Sequence, residues 1–306
     1  MAEPARGGAV GFIGIGNMGW PMAVNLVRAG HDVVVYDIDQ ERGGRFADEY
    51  GADLATSLAE LGGAVDLVIT MLPTGQIVRG VMLEMEAGGL AARLPAGALL
   101  VDMSSSDPMG TRELGEALAR RGIALVDAPV SGAVPRARDA TLTIMIGGDD
   151  KAAVARARPV LAAMGNRIFE TGPLGSGHAM KALNNYVAAA GLAASSEALI
   201  AGTRFGLDPA VMVDIMNVSS GRNFSTETVL KTQVLTRTFA AGFTLALMAK
   251  DVHIAADLAE GLKLDLPMLR FTDERWREAV REAGGEQDNT VVYRLWEAAA
   301  GRAGKA

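Results

Sequence analysis

Two polar side chains in the stretch GSGHAMKALNN, Gly175 to Asn185, have the types and the spacing for proton chemistry. Lys181 and Asn185 stand four residues apart, so on a helix they share one face about one turn apart. An amine can take the proton of a hydroxyl as hydride leaves the adjoining carbon, and can return it in the reverse reduction. The amide can orient the amine or the substrate oxygen by hydrogen bonding, and partial desolvation makes an ammonium easier to deprotonate. Taken alone, however, one lysine in an Ala- and Leu-rich helix is the ordinary solvated charge. The rest of the chain decides between the two.

A second constellation is VGFIGIGNMG, which supplies G-x-G-x-x-G as Gly14, Gly16 and Gly19. In a chain with 37 glycines the bare pattern is weak. Its context is stronger, because an apolar strand pattern precedes it and a helical pattern follows. Gly14 permits the tight turn, Gly16 lets backbone approach a pyrophosphate, and Gly19 lets helix pack on strand. Asn17 and Met18 complete this loop as cofactor contacts, and the phosphates would meet the helix N-terminus. Asp37 closes VVVYD, 37 − 19 = 18 residues after Gly19, where a carboxylate accepts both hydroxyls of an adenosine ribose and repels a 2′-phosphate. The expectation is NAD, with NADP disfavoured. Arg42, the nearest compensating cation, reads as solvated.

The elements that must position these groups follow from periodicity. Apolar runs at Ala9–Ile13, Val33–Tyr36, Leu67–Leu72, Leu99–Asp102, Ile123–Asp127 and Leu142–Ile146 alternate with amphipathic stretches at Pro21–Ala29, Arg42–Tyr50, Thr111–Arg121 and Ala152–Met164. This predicts an α/β, Rossmann-type N-terminal domain with helices on both faces of a mostly parallel sheet. After RIFETG the β signals stop, and an all-α C-terminal domain is expected, opened by a long, central Ala/Gly/Ser-rich helix. The boundaries are 1–172 for the dinucleotide-binding domain and 173–306 for a helical substrate and oligomerisation domain, with a frayed tail in AGRAGKA.

Composition narrows the function classes. At 306 residues, with 49% hydrophobic and 21% charged residues, the chain can bury two cores. A formal charge of −7 argues against nucleic acid as a partner. The absence of cysteine excludes disulfides and thiolate chemistry and fits a reducing cytoplasm. The N-terminus reads as a first strand and not a secretion signal, and no run approaches the roughly 20 residues of a membrane span. His31, His178 and His253 lie far apart without partners at ligand spacing, so no metal site is expected. His178, one turn before Lys181, reads as structural.

With GFIGIGNMGWPMAVNLVRAGH, VITMLP, VDMSSSDP, DAPVSGAVPRARDATLTIMIGG, GSGHAMKALNN and LMAKDVHIAADLA in this order, the chain resembles the β-hydroxyacid dehydrogenase family, the group containing 3-hydroxyisobutyrate dehydrogenase, from about Val10 to Leu269. The resemblance implies Lys181 as catalytic acid/base with Asn185 beside it. It implies Leu72, Pro73 and Ser105 along the cofactor and Lys250 closing over the nicotinamide end, supported by Asp251. Ser131 and Gly132 would hold the substrate carboxylate, with Ala133 adjoining and Asn223 shaping the pocket. It also implies a homodimer or homotetramer. Two departures stand in the substrate loop: Ala133 replaces a usual second glycine, and Asp139–Ala140 replace a small residue and glycine. Arg136 and Arg138 between them read as solvated charges or as partners of a second anionic group on the substrate.

The expected reaction moves a hydride between a small 3-hydroxy acid of the 3-hydroxyisobutyrate type and NAD, giving the semialdehyde. Alternatives are a reductase of small semialdehydes (tartronate, glyoxylate or succinic type), a β-hydroxy amino acid dehydrogenase of the serine type, and, outside enzymes, a catalytically silent nucleotide-binding scaffold.

Overall fold

The structure, a computed structural model, describes residues 8–303. The first expected residues of the N-terminus and the end of the tail, 304–306, lie outside them. Residues up to Lys181 form one compact unit and those from Ala182 a second. The sequence boundary at 172/173 falls nine residues earlier (181 − 172), because the first turn of the long helix is bonded to sheet residues and belongs with them.

In the first unit, β1 (Val10–Ile13), α1 (Gly19–Arg28), β2 (Val33–Tyr36), α2 (Gln40–Tyr50), β3 (Asp53–Leu54), α3 (Leu58–Ala64) and β4 (Leu67–Thr70) build one half of a sheet. A helix α4 (Gly75–Leu83), a short turn α5 (Met85–Gly88), β5 (Leu99–Asp102), α6 (Pro108–Ala119) and β6 (Ala124–Asp127) build the other. These six strands are parallel in the order β3-β2-β1-β4-β5-β6. The strand order reverses between β1 and β4, the crevice position where α/β sheets bind ligands. β7 (Val130–Ser131), α7 (Ala133–Arg138), β8 (Leu142–Gly147), α8 (Lys151–Ala162) and β9 (Gly165–Gly172) follow. β8 runs antiparallel to β6 and β7 and parallel to β9.

Successive strand residues serve opposite faces, as a period of two requires. Val10 and Phe12, Leu67 and Ile69, Leu99 and Val101 enter a core with Met22 and Leu26 of α1, Phe46 of α2 and Val160 of α8. Ile13, Val68 and Leu100 enter a second core with Leu61 of α3, Met82 of α4 and Leu118 of α6. β3 and β7 have two residues each, too short to leave a period. β9 was not anticipated as a strand because it pairs only with β8 and exposes Asn166, Arg167 and Glu170, so its pattern is polar.

The second unit is helical: most of α9 (Ser176–Phe205), then α10 (Pro209–Asn217), a π-type helical segment at Ser225–Val234, α11 (Leu245–Gly261), α12 (Pro267–Ala283) and α13 (Val292–Ala303). Its core joins Leu192 and Leu199 of α9 with Val252 of α11, Trp276 of α12 and Trp296 of α13, whose indoles meet edge to face at 6.2 Å.

Phe46 is fully buried, with its ring centroid 5.1 Å from those of both Trp20 and Tyr50. It ties α2 to the helix that follows the glycine loop. Phe46→Ala is expected to destabilise the chain by about 3–5 kcal/mol, read from urea unfolding monitored by tryptophan fluorescence. A cost below about 1 kcal/mol would show that α2 is not clamped through this ring.

Candidate active site

The glycine loop is built by backbone geometry that only glycine satisfies. Gly14 has φ +91°, and a Cβ there would meet the Met71 carbonyl oxygen at 2.5 Å. At Gly19 a Cβ would lie 1.9 Å from the Gly14 oxygen, so α1 can start against the strand only because that carbon is missing. Around Gly16 there is nothing within 4 Å. That empty side opens onto a cavity of about 720 Å³ lined by Asn17, Trp20, Arg28, Arg42, Arg45 and Arg138. A glycine backbone facing a guanidinium-lined space is a fitting receptacle for a pyrophosphate. Asn17 is exposed and Met18 half-buried beside it.

Asp37 ends β2 and is buried, with Oδ2 accepting from Ile15 N and Oδ1 from Asp39 N, both at 2.9 Å. The ribose-reading carboxylate is thereby fixed to the glycine loop itself. Arg42, expected to be solvated, lies 3.7 Å from Asp37 Oδ1 and 3.2 Å from Asp39 Oδ2, so its charge is already committed. This set fits an adenosine ribose with free hydroxyls, and Arg42 beside Asp37 is already paired. Burial, reinforced by Glu86 and Asp37, pushes the neighbouring Tyr36 phenol above its ordinary value and keeps it neutral. Leu72 N donates to Ser104 Oγ at 2.9 Å, which holds the turn after β4 against the turn after β5. Leu72 is half-buried and Pro73 exposed on the first turn, Ser105 half-buried on the second.

The group that fixes the start of α9, one turn before Lys181, is one the sequence did not single out. β5 and β6 both end in aspartate, and both carboxylates are buried. Asp127 accepts from Gly175 N through Oδ1 and from His178 N through Oδ2, each at 2.8 Å. It therefore satisfies two amides at the start of α9 that the helix itself leaves without partners. Asp102 accepts from Thr70 Oγ1, Ser104 N and Ser106 Oγ at 2.8–3.0 Å. His178 fills the space between, 3.6 Å from Asp102 Oδ2 and 3.8 Å from Asp127 Oδ2. Thr111 Oγ1 donates its one proton to the Asp107 carbonyl at 2.9 Å, so Nδ1 of His178 must be the donor in their 2.8 Å bond. At Gly177 a Cβ would meet the Met145 carbonyl oxygen at 2.2 Å, which explains the second glycine of GSGH. Lys181 stands half-buried one turn beyond His178.

On the second unit, Asn185 is buried and gives Nδ2 to Asp251 Oδ2 at 2.6 Å. A carboxylate can only accept, so it dictates which end of the amide faces it. Asp251 Oδ1 is 3.3 Å from Lys250 Nζ, an ion pair without hydrogen-bond alignment. One buried carboxylate thus orients both residues. Asn223 spends its amide on its own turn: Oδ1 accepts from Ser225 N and Thr226 N, and Nδ2 donates to Ser195 Oγ and the Gly221 carbonyl.

The substrate loop starts with Ser131, half-buried at the end of β7, and Gly132, whose φ of +137° is open to glycine alone. Ala133 (φ +54°) and Ala140 (φ +53°), the two positions where the family favours glycine, are both in the left-handed region. Among the described residues no group of three or more His, Cys, Asp or Glu could hold a metal ion, and no helix is long and apolar enough to cross a membrane.

Residues 9–172 match the family model for the NAD binding domain of 6-phosphogluconate dehydrogenase. Residues 175–296 match the model for the NAD-binding region of NADP-dependent 3-hydroxyisobutyrate dehydrogenase. The chain is 36% identical to an NAD-dependent L-serine dehydrogenase of Pseudomonas aeruginosa, covering 96% of this chain and 99% of that one. It is 34% identical to a 2-(hydroxymethyl)glutarate dehydrogenase of Eubacterium barkeri over 94% of both, and 37% identical to the mitochondrial 3-hydroxyisobutyrate dehydrogenase of Bos taurus over 94% of this chain and 86% of that one. A Mycobacterium tuberculosis 3-hydroxyisobutyrate dehydrogenase structure with L-serine superposes with a TM-score of 0.86 at 31% identity, covering 94% of this chain and 99% of that one.

Asp37→Ser removes the ribose acceptor and releases Arg42. NADH is expected to bind at least about tenfold more weakly and NADPH to gain on it, read from fluorescence titrations with both. An unchanged NADH:NADPH affinity ratio would remove Asp37 from cofactor selection.

Proposed function

The chain belongs to the β-hydroxyacid dehydrogenase family and is an NAD-dependent oxidoreductase of small 3-hydroxy acids, and from that premise we propose that Lys181 is its proton carrier. The observation that supports this most is the pinned start of α9: Asp127 fixes Gly175 and His178, and Lys181 follows after one turn. The reaction is R–CH2OH + NAD+ → R–CHO + NADH + H+. NAD, when bound, supplies the hydride acceptor. As the carbinol C–H bond breaks, the O–H proton passes to Lys181 Nζ and the C=O bond forms; the same nitrogen returns the proton in the reduction. Asn185 hydrogen-bonds the reacting oxygen through the amide N–H that Asp251 does not use. Asp251 also sets Lys250, which serves the cofactor in this reading. The Ser131 hydroxyl and the Gly132 N–H hold the substrate carboxylate, with Ala133 adjoining and Asn223 shaping the approach. Gly14, Gly16, Asn17, Met18, Gly19 and Asp37, with Leu72, Pro73 and Ser105, hold NAD.

The substrate carries a carboxylate on the carbon that bears the reacting CH2OH. 3-Hydroxyisobutyrate, L-serine and 2-(hydroxymethyl)glutarate all have that unit, and relatives named for each are 34–37% identical to this chain. A β-hydroxy amino acid is a second reading, favoured by the 36% identity to an L-serine dehydrogenase across 96% of the chain. Assay of these three compounds with NAD and NADP separately distinguishes the two readings. The composition without cysteine suits a reducing cytoplasm. Val187, Phe205, Val211, Ile215 and Val218 are exposed on the helical unit, an apolar surface that suits a homodimer or homotetramer. Light scattering is expected to give a mass of two or four chains, and a monomer mass would end that proposal.

Lys181→Ala is expected to lower kcat by about 10²–10⁴ with NAD affinity kept. Lys181→Arg should fail to restore turnover, because a guanidinium keeps its proton. A Lys181→Ala enzyme with near-normal kcat would transfer the role elsewhere.

A further inference from the structure

The segment after Gly132 is held more firmly than a surface loop needs to be. It packs Ala137, fully buried, into the sheet core, and the Asn25 amide of α1 donates to the Ala137 carbonyl at 2.6 Å. Thr141 N bonds back to the Arg136 carbonyl at 3.0 Å. Ala133 and Ala140 bracket it in left-handed conformations that a residue with a Cβ resists. Strain of this kind persists where surrounding contacts over-determine the backbone, and ligand clamps are one place where it collects. The two arginines displayed here point to different places. Arg138 lines the cavity beside Gly16 and Asn17. Arg136 folds back over Gly132: a Cβ on that glycine would meet Arg136 Cδ at 2.6 Å and its Cβ at 2.7 Å. Its side chain is exposed and makes no ion pair or side-chain hydrogen bond among the described residues.

We propose that Arg136 is a specificity-determining residue that pairs with a second anionic group on the substrate, so that the preferred substrates are 3-hydroxy acids carrying a further carboxylate or phosphate. This rests on the reading that Gly132 receives the first carboxylate. The acid next to the reacting carbon meets the Gly132 backbone, and a second anion a few atoms along meets the guanidinium carried by the stem that lies over that backbone. A guanidinium matches an oxyanion with two parallel N–H bonds, which an ammonium cannot do. The anchored backbone fixes where the arginine stem starts, which lowers part of the ordering cost of binding.

The test uses two compounds that share the reacting unit and differ in one arm: 3-hydroxyisobutyrate ends in a methyl group, and 2-(hydroxymethyl)glutarate in a second carboxylate. Steady-state kinetics of the full chain at saturating NAD are compared with Arg136→Ala, Arg136→Gln and Arg136→Lys. Wild type is expected to favour the dicarboxylate by about tenfold in kcat/KM, and both Ala and Gln to lower that ratio about tenfold, chiefly through KM. Gln keeps the stem over Gly132, which separates loss of charge from loss of packing, and Lys should recover part of the ratio. Turnover of both compounds with no preference in wild type overturns the proposal and leaves the dehydrogenase reading standing. Equal losses on both compounds overturn it too, because the arginine would then serve the common carboxylate. No turnover of any 3-hydroxy acid by wild type overturns the dehydrogenase reading and the inference with it.

Discussion

The capture of two amide N–H groups by the Asp127 carboxylate is the interaction on which the placement of Lys181 depends. Helix starts leave amides without partners, and here a buried anion from the end of a strand supplies them. A buried carboxylate is costly unless its oxygens are bonded, so each side of the contact requires the other. Because β6 is held in register by β5 and β8, α9 inherits the rigidity of the sheet, and Lys181 inherits it from α9. Asp102 performs a parallel task one strand away, tying Thr70, Ser104 and Ser106 together at the cofactor side. His178 fills the gap between the two anions and is anchored by Thr111. The polar centre is thus a brace between the turns after β4 and β5 and the start of α9.

Much of this was legible in residue order. The six parallel strands leave clean apolar runs because helices cover both faces of the sheet, and the glycine loop announces itself through φ values and close approaches that other residues cannot reach. What stayed hidden has physical causes. β9 is an edge strand with polar outward residues, so its pattern resembles a loop. β7 and β3 are too short for any period. Asp102 and Asp127 look like ordinary strand-ending acids; Asp127 bonds amides 48 and 51 residues away and Asp102 a hydroxyl 32 residues back, separations no local pattern records. The unit boundary falls inside α9 for the same reason: composition changes at the turn, but bonding does not change until after Lys181.

Arg42 shows how one contact revises a reading without reversing it. From sequence it reads as the nearest compensating cation, and as solvated. Its contacts with Asp37 and Asp39 make it part of the carboxylate's setting. Asp37 carries its own backbone bonds to Ile15 and Asp39, so it does not depend on Arg42 for its position. The pairing occupies a cation that would otherwise be available to a second phosphate. An acid at the end of β2 and a base whose charge is engaged with it are both features that suit NAD.

The substrate loop follows the opposite logic from the glycine loop. At Gly14 and Gly19 the backbone needs space, and the residue type supplies it. At Ala133 and Ala140 the backbone takes the left-handed form although the residue type resists it, and Asn25 together with buried Ala137 hold it there. Keeping the conformation while giving up glycine means that the fold, and not local freedom, now specifies this segment. It also explains why the family resemblance names the chemistry more readily than the substrate. The start of α9 before Lys181 and the Asp37 carboxylate are fixed by backbone amides bonded to buried acids. The segment after Gly132 is instead short and mostly exposed, and it holds to the core through buried Ala137 and the Asn25 bond.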